Sequence, residues 1–119
     1  KINEISKALR KMPNLAEFMN GSNGLMVYVP ESANDLIAEG KALHNCIGTY
    51  VNRIASRTTL VFFIRQIDNP TAPFVAMEYD GSIVQVRYDH NKAVEKDSNI
   101  YDFAERFATA LTKAKVLTA

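Results

Sequence analysis

Pro73-Phe74-Val75-Ala76-Met77-Glu78-Tyr79-Asp80-Gly81-Ser82-Ile83-Val84-Gln85-Val86-Arg87-Tyr88 is the stretch that decides the fold. Two runs rich in β-branched and aromatic residues flank an Asp-Gly dipeptide. Such residues suit a pleated strand, and Asp-Gly suits a two-residue type I′ turn because both central positions need φ > 0. The spacing therefore predicts a hairpin with Tyr79 paired to Ser82, Met77 to Val84 and Val75 to Val86. One face is apolar apart from Ser82. The other carries Phe74, Ala76, Glu78, Ile83, Gln85 and Arg87, a mixture expected to be partly covered.

Working outward, Thr58 to Gln66 reads as a preceding strand, joined through the turn residues Asp68-Asn69-Pro70. Leu25 to Val29 is a short strand candidate stopped by Pro30. Ile2, Ile5, Leu9 and Met12 recur at helical spacing, and Pro13 divides or kinks that segment. Ser32 opens a second helical region, with Asp35 completing a shortened capping box. Helical spacing continues to Ala55, with a bend near Gly40 to His44. After Asp97 or Ser98, a stripe of Ile100, Phe103, Ala104, Phe107, Ala108 and Leu111 predicts a helix that packs on the meander. The expected class is α+β: a three-stranded antiparallel meander, joined by the short N-terminal strand, with N-terminal, central and C-terminal helices.

The 119 residues suit one domain. It divides into a helical part over 1–20, a central region over 38–91 and a C-terminal helix over 98–115. Fourteen Lys/Arg against thirteen Asp/Glu give a net charge of +1, which is not the footprint of a strongly basic nucleic-acid binder. A single cysteine, Cys46, allows no internal disulfide and points to a reducing compartment. No apolar run approaches the ~18 residues of a membrane span, so no membrane partner is expected. The chain opens at Lys1, not Met, and is expected to be an excised piece of a longer protein.

Chemistry concentrates in Gly40-Lys41-Ala42-Leu43-His44-Asn45-Cys46-Ile47-Gly48-Thr49-Tyr50. A cysteine nucleophile needs a thiolate, which an adjacent base or a helix N-terminus stabilises. His44 can serve Cys46 as base only if it lies before the helix, since positions two apart on a helix diverge by about 200°. The blander reading is a buried structural cysteine, because free cysteine is among the most buried residue types. His44, Cys46 and His90 fall short of the four N/S ligands of structural zinc, so no metal is expected. No cofactor is expected either. Arg65, Glu78, Gln85 and Arg87 lie on neighbouring strands. With Asn91 they form either a polar site beside His44 and Tyr50 or a set of solvated cross-strand contacts. Arginine suits bidentate capture of phosphate or carboxylate. Lys7, Arg10, Lys11, Arg53 and Arg57 offer a basic patch, and Tyr88 or Phe74 a stacking surface for a base.

The run G-x-x-L-H-N-C-x-G-x-Y from Gly40 to Tyr50 resembles the hallmark of PcfJ-like proteins, G-x-x-L-H-H-C-V-G-x-Y. Arg65 closing a strand, the Pro73-led strand with Glu78, then Gln85, Arg87 and Asn91 continue the likeness over about Ala38 to Asn91. Asn45 stands where the family has a second His, and Val86 and Tyr88 flank Arg87 where the family often has Arg-Gly. The resemblance implies a bacterial, cytoplasmic protein of conjugative plasmids, phages or other mobile genetic elements. The expected function is binding of a nucleic acid, a nucleotide or a partner protein at Tyr50, Arg65, Glu78, Gln85, Arg87 and Asn91. The alternative is an enzyme with Cys46 as nucleophile and His44 as base, acting on an anionic substrate.

Overall fold

Pro13 breaks the first helical stretch where its missing N–H costs nothing. The computed structural model, which describes residues 1–117, ends α1 (Ile2–Arg10) just before it and starts α2 (Pro13–Asn20) with proline in the first turn. The remaining elements are β1 (Leu25–Tyr28), α3 (Ala33–Leu43), a 3₁₀ turn (Ile47–Thr49), α4 (Val51–Ala55), β2 (Leu60–Gln66), β3 (Val75–Tyr79), β4 (Ile83–Arg87), a second 3₁₀ turn (Asp89–Asn91) and α5 (Asn99–Lys113). The class is α+β. The sheet has four antiparallel strands in the order β1-β2-β3-β4, so the N-terminal candidate is a full member of the meander.

Ser32 Oγ accepts from Asp35 N at 3.1 Å, and the Asp35 carboxylate accepts from Glu31 N at 2.9 Å. The shortened box thus forms, with its return bond displaced by one residue. Ser98, rather than Asp97, caps α5 by accepting from Tyr101 N.

Leu60, Phe62 and Ile64 alternate on one face of β2 and meet Tyr79, Met77 and Val75 of β3. The stripe of α5 covers this face. The Phe107 ring meets Phe62 edge-on at 4.9 Å between centroids, and Phe18 of α2 closes the cluster at 5.7 Å from Phe103 and 5.3 Å from Phe107. Phe62, Met77, Phe103 and Phe107 are all fully buried. Burial of this apolar surface is the main favourable term in the fold.

The hairpin register differs from the expected one. Tyr79 pairs with Ile83, not Ser82, and Met77 pairs with Val86, not Val84. Asp80, Gly81 and Ser82 form the loop, and a bulge beside Tyr79 takes up an extra residue. The physical gain is on both faces. Val86 keeps its place on the core side, while Ile83, expected on the mixed face, sits partly buried opposite Tyr79, and Val84, expected on the apolar face, is half exposed. On the other side of the sheet, Gln85 pairs with Glu78, where the expected register had Ile83, and Arg87 pairs with Ala76, where it had Gln85.

Candidate functional site

The second face of the sheet carries Val61, Phe63, Arg65, Ala76, Glu78, Gln85 and Arg87, and the chain from α3 to α4 lies across it. Two glycines let that chain come close. A Cβ on Gly40 would lie 3.1 Å from the Gly48 backbone nitrogen, and one on Gly48 would lie 3.2 Å from Ile37 Cα. Bare backbone at both positions seats the 3₁₀ turn against the end of α3.

Helix α3 stops with a double carbonyl cap. His44 N donates to Lys41 O, Asn45 N donates to Gly40 O, and His44 itself takes φ 52° and ψ 53°. Glycine normally fills this left-handed position. Asn45 then uses its Oδ1 to accept from Ile47 N at 3.1 Å, opening the 3₁₀ turn. His44 therefore lies before that turn, as cooperation with Cys46 requires. The α-helix begins only at Val51, so Cys46 has no α-helix N-terminus to stabilise a thiolate, contrary to one expectation. Cys46 is also exposed, which overturns the buried structural reading.

A cleft of about 210 Å³ opens between this segment and the sheet, lined by His44, Asn45, Cys46, Ile47, Tyr50, Ala76, Met77, Glu78, Gln85, Arg87 and Asn91. Seven of the eight residues singled out from sequence come together here. Glu78 forms the buried floor. Its carboxylate accepts from Arg53 at 2.8 Å, Thr59 at 2.7 Å and Gln85 at 3.1 Å, so its oxygens are largely committed inside the protein. Arg53 also stacks 4.3 Å from the Tyr50 ring centroid, closing one wall. Arg87 donates from Nη1 to Asn91 O at 3.3 Å. That single bond uses one of the five guanidinium N–H groups.

Arg65 is the exception. It is drawn to the other end of the face by Glu39 of α3, donates to Pro70 O, and lies over the Tyr28 and Phe63 rings. Glu39 is buried, and that burial raises its carboxyl pKa above the usual range even though Arg65 pulls the other way. This is a structural ion pair, removed from the cleft. The basic patch is likewise partly spent: Arg10 is tied to Glu31 and Arg53 to Glu78. Tyr88 and Phe74 meet edge-on at 6.0 Å and are each partly buried, occupied with one another.

The sequence reading missed Asp89. Its Oδ1 lies 2.8 Å from His44 Nδ1 and 3.1 Å from His90 Nδ1, and the two imidazoles stack at 4.1 Å. The hydrogen bond from His44, helped by His90, holds the Asp89 carboxyl below the ordinary aspartate range. Asp89 and His90 sit in a tight loop that folds back on β4, where Tyr88 N donates to Lys92 O and Val94 N to Val86 O. The loop places His90 and Asn91 at φ 56° and 61°. Non-glycine residues held in the left-handed region cluster at functional sites. The available signal was an Asp-His-Asn run directly after the last strand.

An α+β fold with a four-stranded meander, crossed on its polar face by a glycine-seated His-Asn-Cys turn, defines the class. The chain belongs to the PcfJ-like protein family, whose match spans residues 2–101. It is 33% identical over 93 residues to an uncharacterized protein of Listeria innocua serovar 6a, an alignment that covers 75% of this chain. The chain spans 20% of that relative's length. No solved structure matches it. Among the described residues, no helix is long and apolar enough to cross a membrane.

Proposed function

We propose that this PcfJ-like chain is a binding module of a bacterial mobile-element protein, and that its cleft captures a phosphate-bearing ligand, a nucleotide or a nucleic-acid strand. The carrying observation is Arg87, whose guanidinium makes one hydrogen bond among the described residues, to Asn91 O, and so leaves donors for an anion. His44, Asn45 and Asn91 add polar groups around it. The cleft's volume, below the ~300 Å³ of drug-sized pockets, suits a phosphate or a nucleotide edge better than a protein surface. The mobile-element setting rests on the family resemblance. The test is fluorescence anisotropy with a labelled oligonucleotide, and competition by a mononucleotide, between about 50 and about 200 mM salt. Binding should weaken with salt and fall at least tenfold in Arg87→Ala. No binding at low ionic strength ends the proposal.

A second reading has its own support. Cys46 is exposed and lines the same cleft as His44, whose Nδ1 is anchored to Asp89, so a turn of the imidazole toward the thiol would assemble a nucleophile, a base and a group orienting the base. Alkylation of Cys46 by iodoacetamide at neutral pH should then outpace that of a free cysteine peptide and slow in His44→Ala and Asp89→Asn. Equal rates in all proteins remove this reading.

A further inference from the structure

We propose that His44, Asp89 and His90 form a binding site for a divalent transition-metal ion, of the zinc, cobalt or nickel kind, at the edge of the cleft. One ligand atom from each residue lies within 4.8 Å of the others. The three residues reach this point from two directions, His44 from the cap of α3 and Asp89 with His90 from the loop after β4, 45 positions further along the chain. One carboxylate oxygen, Asp89 Oδ1, faces a ring nitrogen of both histidines, at 2.8 and 3.1 Å. That convergence has a cost on the backbone, since His44 and His90 both hold φ near +55°.

Donor chemistry selects the ion. Two imidazoles and one carboxylate suit borderline cations, whereas Mg²⁺ and Ca²⁺ favour all-oxygen sites. Tetrahedral bonds of about 2.0–2.1 Å put donor atoms about 3.3 Å apart. The two contacts to Asp89 are a few tenths of an ångström shorter than that. All three side chains are exposed, so they open to this spacing without disturbing the core. Three protein ligands leave at least one coordination position for water or an outside ligand. His44 also lines the cleft, which puts the ion at the cleft's edge.

The site stands apart from the reading of the cleft as an anion pocket, because metal binding is measured on the protein alone. The experiment is calorimetric titration of the 119-residue chain with Zn²⁺, and with Co²⁺ followed by its visible ligand-field absorption. The expected result is one ion per chain, with affinity at least tenfold weaker in His90→Ala and in Asp89→Asn. Both substitutions fall on an exposed loop, and an unchanged thermal melt of the free protein verifies the fold. Failure to bind one ion at millimolar metal overturns the proposal. So does affinity unchanged in both variants, or a Cys46→Ser variant that loses the ion while His90→Ala keeps it.

Discussion

Gly40→Ala tests the seating of the His-Asn-Cys turn. Gly40 lies inside α3, where alanine ordinarily gains about 1 kcal/mol over glycine. Here the new methyl would lie 3.1 Å from Gly48 N, 3.3 Å from Ile47 Cγ1 and 3.4 Å from Asn45 O. Two of those three atoms are backbone, and Gly48 is itself hemmed in by Ile37 Cα. To yield, the turn must shift backbone that lines the cleft. Overpacking of this kind costs about 1–3 kcal/mol. The propensity gain offsets part of it, and the expected net effect is a loss of about 1 kcal/mol, a fall in Tm of roughly 4 °C. Urea unfolding measures the first quantity and calorimetry the second. Because the methyl pushes the turn away from the helix end, oligonucleotide affinity should fall as well. A gain of about 1 kcal/mol, the value for an open helix position, would refute the close approach and with it the account of the motif's two glycines.

Further expectations follow from the same structure. Phe107→Ala empties the fully buried centre of the aromatic cluster and should cost about 3–5 kcal/mol, read from the urea midpoint. Arg57 sits just past α4 at φ 62°, with Thr58 N donating to Arg53 O. Arg57→Gly should therefore raise stability by about 0.5 kcal/mol by relieving the left-handed position, and a loss would contradict that backbone assignment. Asp89 has a carboxyl pKa lowered in the folded state, so its stabilising contact with His44 is present above the ordinary value of 3.8 and is lost as pH falls through the lower folded one. Carboxyl chemical shifts in an acid titration should place the Asp89 midpoint below 3.8 in the wild type and at a higher pH in His44→Ala.

The meander and the helices were legible because each rests on local periodicity: period two in β2 to β4, and the i, i+3, i+4 stripe of α5. The register at Asp80-Gly81 was not. The dipeptide permits a tight turn, yet the bulge that turns Ile83 to the Tyr79 side, leaves Val84 outside and sets Gln85 against Glu78 answers a tertiary demand. The helical spacing from Ile47 to Ala55 was real but too short to hold one α-helix against the pull of the Gly40–Gly48 contact, and a 3₁₀ turn leads into a five-residue helix instead. Arg65 reads in sequence as the equivalent of Arg87 because both lie at or next to the end of a strand on the same face. What separates them is Glu39, buried 26 residues away in sequence, a partner that no local pattern announces. Asp89 was missed for the converse reason. The Asp89-His90-Asn91 run marks a polar loop, but its link to His44, 45 positions away, is made only by folding.

Residue-resolved NMR during titration with a mononucleotide is the most direct trial of the cleft as the functional surface. Saturable shifts should gather at 44–50 and 85–91, and spare the separate hollow lined by Asn23, Ile67 and Ile100. Shifts centred on that hollow or on Lys7 and Lys11 of the N-terminal region, or none that saturate, would contradict the account.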